Sequence, residues 1–256
     1  MLACPFCGRR SRGATDLGDH LEIDHVGMVR PGHLTTFRPW LATMRGTLVV
    51  PVDPAFRLTP AFGVGAVLSH QAQFGMEVVS VPERGGETAA RVYLRSAVHR
   101  AHEIGAPSSR WSLLDPAEAG EALVQHLDAT GPDLVCMSAG HEAPGALGVV
   151  TRHVVERSGV PVVVMGSHGV VPDRINRIVV LEGGSTTVAQ VIEPLVALGR
   201  RIGSEVVITR RSKVPAGSLV AIGVSGRSSL AELVDLVDEI ASPVLVLRIE
   251  DVRLEA

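Results

Sequence analysis

The chain has 256 residues, 46% hydrophobic and 3% aromatic, with a formal net charge of −3. That length buries a sizeable core, and few aromatics among abundant valine and alanine suit an α/β protein. The near-neutral balance excludes a general affinity for nucleic acid or anionic membrane, and apolar runs such as Val160 to Met165 are strand-length, far too short to span a bilayer.

The chain opens with Cys4, Cys7, His20 and His25, spaced C-x2-C-x12-H-x4-H. This is ligand spacing for one tetrahedral zinc ion, which accepts thiolate and imidazole together. Four protein ligands leave no position for substrate, so the predicted zinc is structural. The Cys pair fits a tight knuckle around Pro5 and Phe6, and the His pair fits a short helix with Thr15 as N-cap and Gly27 at its exit. The stretch resembles the two-cysteine, two-histidine zinc finger family, down to Leu2 and Leu17 at positions where that family keeps core residues. Ser11 stands where the family usually has an aromatic, so the core is too small to fold without metal. Asp16, Asp19, Glu22 and Asp24 would meet phosphate repulsion in a major groove, whereas Arg9, Arg10 and Arg12 precede the helix. A protein-contact role is therefore expected for residues 1–27. DNA contact by a transcription-associated regulator is the alternative.

Residues 28–45 hold Pro31, Gly32 and Pro39 with Phe37 and Trp40, and read as a linker. Strands and helices then alternate. Leu48 to Val52 is an apolar strand. Thr59 and Pro60 supply an N-cap and first-turn proline for a helix to about Phe74. Met76 to Val81 is the next strand, followed by a helix over Thr88–Ile104 that Gly105 stops. Arg110 to Leu114 is a strand, and Asp115-Pro116-Ala117-Glu118 reads as a capping-box start for a helix ending at Gly131. Strands Leu134 to Met137 and Val160 to Met165 flank a helix over Leu147–Ser158.

The order then restarts. Ile178 to Leu181, Val206 to Ile208, Leu219 to Ile222 and Val244 to Leu247 are strands. Ser185 caps a helix that Pro194 should bend, and Leu230–Ile240 is the last helix. The pattern reads as an internal repeat whose second copy lacks one strand–helix unit. Apolar strands alternating with helices imply parallel sheets covered on both faces. The fold expected is α/β: tandem doubly wound parallel-sheet halves, at 46–167 and 176–250, preceded by a small ββα zinc finger. Each half ends in an apolar strand that is a liability if uncovered. Pairing of Val160–Met165 with Val244–Leu247 would hide both, as an intramolecular pseudo-dimer.

From Leu48-Val49-Val50-Pro51-Val52-Asp53 onward the chain resembles a universal stress protein, an adenine nucleotide alpha hydrolase-like fold. Leu134 to Gly140 and Val160-Pro161-Val162-Val163-Val164 fill that family's closing elements. The resemblance implies adenine nucleotide, ATP or AMP, at the topological switch point. It implies that Pro51, Val52 and Asp53 line the adenosine end. It also implies that the loop carrying Gly140, Gly145 and Gly148 cradles phosphate with backbone N–H groups. The family's loop spaces its glycines as G-x2-G-x9-G followed by Ser or Thr. Here the glycines are crowded and Val149 replaces the hydroxyl residue. The second copy has Gly223-Val224-Ser225-Gly226 but no Pro-Val-Asp strand end.

The other candidates read as surface or core. His141-Glu142 has no nucleophile spaced with it, and His99 with His102 is a surface pair. Arg200-Arg201 and Arg210-Arg211 read as solvated charges, and Asp235, Asp238 and Glu239 as a wet helix face. Cys136 reads as a core thiol. No catalytic constellation emerges, so the chain is expected not to be an enzyme. With no charged-then-apolar leader before the finger and reduced cysteines, a cytoplasmic setting is expected.

Overall fold

The computed structural model describes residues 46–55, 58–140, 146–181, 188–209, 214–224 and 226–248, with two short strands near the start. Those two, β1 (Leu2–Ala3) and β2 (Arg10–Ser11), pair antiparallel, Leu2 opposite Ser11 and Ala3 opposite Arg10. The four predicted zinc ligands, the 28–45 linker, His141-Glu142, Gly145, Ser185 and Arg210-Arg211 lie outside the described residues.

From Gly46 onward apolar strands and amphipathic helices alternate. In order they are β3 (Thr47–Pro51), α1 (Pro60–Ala72), β4 (Gly75–Ser80), α2 (Glu87–Ile104), β5 (Ser108–Leu113), α3 (Ala119–Thr130), β6 (Leu134–Ser138), α4 (Val149–Arg157) and β7 (Val162–Met165). Then come β8 (Arg177–Leu181), α5 (Val188–Ile202), β9 (Glu205–Thr209), β10 (Ser218–Val224), α6 (Gly226–Glu239) and β11 (Val244–Arg248). Strands β3 to β11 form one nine-stranded sheet in the order β5-β4-β3-β6-β7-β11-β10-β8-β9. All neighbours are parallel except β7 and β11, which meet antiparallel with Val244 opposite Val164 and Val246 opposite Val162. The expected contact between the 160–165 and 244–247 strands is therefore present.

Alternate residues of each strand face opposite sides, so the sheet divides its side chains between two apolar layers. One holds Leu48, Val50, Phe62, Leu134, Val163, Ile178, Leu195 and Leu245 under α1, α2 and α5. The other holds Val49, Leu127, Val135, Val164, Val179, Val220, Leu233 and Val246 under α3, α4 and α6. Cys136 is wholly buried in the first layer, and burial pushes its thiol well above the usual range, as a core thiol requires.

The element boundaries differ from expectation where capping chemistry decides them. Thr59 sits at the N-cap of α1 but makes no side-chain cap bond; the proline at the first helical position starts the helix. For α3 the N-cap is Glu118, not Asp115: its carboxylate accepts from the Glu121 N–H at 2.9 Å. Helix α6 begins at Gly226, directly after β10, rather than at Leu230. Gly105 and Gly131 end α2 and α3 in the left-handed conformation, as expected of glycine at that position.

Outward from the antiparallel junction the first side reads β7-β6-β3-β4-β5 and the second β11-β10-β8-β9. The second side has no counterpart to β5 among the described residues. The gap is larger than one strand–helix unit, because β9 passes to β10 through residues 210–217, where the first side has α2, β5 and α3. The two sides are also welded by side chains. Gln71 Nε2 donates to the Ile175 and Ile202 carbonyls at 3.0 and 3.1 Å, and Gln71 Oε1 accepts from the Ile175 N–H at 2.8 Å. Arg201 Nε donates to the Ala72 carbonyl, and its guanidinium stacks 4.3 Å from the Phe74 ring centroid. Among the described residues no helix is long and apolar enough to cross a membrane.

Candidate functional site

Strand β3 is flanked by β4 on one side and β6 on the other. The chain leaves β3 toward β4 and returns to β6 on the opposite side, so a crevice opens at their carboxyl ends by geometry. A cavity of about 450 Å³ lies there.

Each wall comes from a different element. Pro51, Val52 and Asp53 leave the end of β3 and line the cavity. The Val52 N–H donates to the Val79 carbonyl at 2.8 Å, extending the ladder past the strand end. The Asp53 carboxylate accepts from the Ala55 N–H at 2.8 Å, a local turn that fixes its direction. Met137, Ser138 and Gly140 come from the end of β6, and Gly148, Val149, Val150 and Thr151 from the start of α4. Of the residues predicted to hold nucleotide, Pro51, Val52, Asp53, Gly140 and Gly148 thus line one cavity, and Gly145 lies outside the described residues.

The glycines have a backbone reason. Gly140 has φ +119°, and a Cβ there would stand 2.7 Å from the Gly148 Cα. The Gly148 N–H donates to the Ala139 carbonyl at 2.5 Å. Residues 140 and 148 therefore form the neck of a loop, held shut backbone to backbone. The neck aims α4 at the cavity. The first N–H groups of a helix have no intrahelical partner and carry partial positive charge; in α4 they belong to residues that line the cavity.

Sequence reasoning missed Tyr93 and Thr151. Thr151 supplies the hydroxyl that Val149 lacks, but donates it to the Ser138 carbonyl at 2.6 Å, stapling α4 to β6. Tyr93, the single tyrosine of the chain, projects from α2 into the wall. Its phenol is pushed above the usual range by burial and by the Asp53 charge. Its signal was its place on α2 off the buried stripe of Ala90, Leu94, Ala97 and Ala101. Asp53 is the one acidic side chain among the described lining residues. The cavity thus combines an apolar lining with a carboxylate and helix N–H groups.

The remaining candidates do not join it. His99 lies 3.4 Å from Glu103, while His102 Nε2 meets Ser109 Oγ at 2.9 Å, so the two histidines have separate partners. Arg201 is committed to Ala72 and Phe74. Asp235, Asp238 and Glu239 are exposed on α6. Among the described residues no group of three or more His, Cys, Asp or Glu side chains converges to hold a metal.

A doubly wound α/β sheet with a crevice at its switch point is the class that this geometry defines. Within that class the solved structures similar to this chain include universal stress proteins. One from Archaeoglobus fulgidus matches with a TM-score of 0.55 at 14% identity, over 80% of this chain and 99% of its own. A protein from Pseudomonas aeruginosa, carrying the working name of universal stress protein, matches at 0.55 and 14%, over 81% of this chain and 94% of its own. At that identity the likeness establishes the fold. No family model and no curated protein matches the chain.

Proposed function

We propose that the chain is a non-catalytic, cytoplasmic regulatory protein of the universal stress type, with an adenine-nucleotide crevice at the switch point. The observation that carries this reading is the shared cavity of Pro51, Val52, Asp53, Gly140 and Gly148, facing the start of α4. Asp53 would accept from ribose hydroxyls, the apolar wall would take the base, and the helix N–H groups would take a phosphate. Isothermal titration with AMP and ATP tests it. Binding is expected, weakened tenfold or more (about 1.4 kcal/mol) by Asp53→Ala. Flat titrations with both nucleotides would remove the ligand and leave an adaptor.

The second part of the proposal is a structural zinc held by Cys4, Cys7, His20 and His25, making residues 1–27 an interaction module, as the spacing predicts. The donor set suits zinc. Native mass spectrometry should find one zinc per chain, lost when both thiols are replaced by serine.

A further inference from the structure

The two edges of the nine-stranded sheet are unlike. Edge strand β5 reads Ser-Ser-Arg-Trp-Ser-Leu, and Arg110 within it is 66% exposed. A serine-rich edge with an exposed cation discourages another strand from pairing. The other edge, β9, reads Glu-Val-Val-Ile-Thr. Val206, Val207 and Ile208 are consecutive, β-branched and uncharged, and Val207 and Ile208 are only half-buried. Such an edge is a template for association. It is also where the second side of the sheet stops one strand short.

One segment of this chain stands at that edge. The Cα atoms of β1 come within 8 Å of those of β9. Strands β1 and β2 form their own two-stranded sheet rather than extending the large one. Residues 12–45 tether the pair to β3, ample length to reach across the sheet.

We infer that strand β1, paired with β2, is an intramolecular cap on β9, lying against that edge without joining its ladder and blocking lateral pairing by other chains. The first partner of the amino-terminal module is then this chain's own sheet. A parallel edge strand turns alternate N–H and C=O groups outward, so whatever moves the cap uncovers a pairing surface. Cys4 and Cys7 fall between β1 and β2 in the sequence, so loss of a metal held there is one such event. That last clause rests on the zinc proposed above; the capping itself does not.

Hydrogen exchange with mass spectrometry on the full chain separates the two. The variant Leu2→Asp with Ala3→Asp is expected to raise exchange over residues 205–209 tenfold or more, with 108–113 unchanged. Equal exchange over 205–209 in the variant and the parent would overturn the capping. Chelation, with zinc loss verified by native mass spectrometry, is expected to reproduce the variant's effect. If the chelated protein keeps β9 protected while the double variant exposes it, the cap stands without metal control. If the parent carries no zinc, the zinc proposal fails and the variant still decides the capping.

Discussion

Glu77 is a charged residue in an apolar layer, 5% exposed on β4. Arg110 Nη2 and Ser112 Oγ donate to its carboxylate at 2.7 and 2.5 Å, and His126 Nε2 lies 3.4 Å away. Burial raises its pKa, but the nearby His126, the hydrogen bonds from Ser112 and Arg110, and the Arg110 charge outweigh burial and lower it from 4.5 to about 2. The sign follows from linkage: the folded state holds the proton less tightly than the unfolded chain. The stabilisation is complete above about pH 4.5 and fades as pH falls toward 2. Glu77→Gln should lower stability at pH 7 by about 1–3 kcal/mol. It should also flatten the dependence between those pH values. Urea denaturation at several pH values reads both effects, and an unchanged slope would contradict the assignment.

At the scale of elements, α1 shows how one side chain couples two parts of the sheet. Its buried face includes Ala61, Phe62, Val64, Ala66, Val67 and Leu68, because it packs on β3 and β6 below and on α5 beside it. Gln71 closes that contact with bonds to Ile175 and Ile202. Gln71→Ala leaves the Ile175 N–H and two carbonyls without this partner, at a cost of about 1–3 kcal/mol, measurable as a lower denaturation midpoint. Neither this bond nor the Arg201 stack was legible in the sequence, since both join residues more than a hundred positions apart. The apolar strands were legible, because runs such as Leu48 to Val50 and Val162 to Val164 are buried on both faces and need no alternation. Helix starts were less so. Glu118 caps its helix through its own carboxylate, which a residue preference for Thr or Ser does not record. Half of the site followed the same rule. Pro51, Val52, Asp53, Gly140 and Gly148 belong to strand ends and turns, where sequence carries the signal. Tyr93 and Thr151 arrive from helices whose packing sets their direction.

For the whole molecule, the antiparallel junction of β7 and β11 decides how it unfolds. Both apolar layers run through it: Leu48 and Leu247 share one, Val49 and Val246 the other. Residues 46–167 and 176–250, read from sequence as tandem halves paired through their last strands, contribute to the same two apolar layers. Strand β7 is a sheet neighbour of β6 on one side and β11 on the other. Removing β11 would leave Val162 to Met165 as an apolar edge. Leu245 is fully buried in the first layer, opposite Val163. Leu245→Ala should cost about 2–5 kcal/mol, and the loss should not stay local. Pulsed hydrogen exchange during denaturation should show β3, β4 and β6 losing protection at the same lowered midpoint as β8 and β10. If β3, β4 and β6 keep the parental midpoint while β8 and β10 melt early, the sheet is two cooperative units, and the junction is a contact between them rather than their shared core.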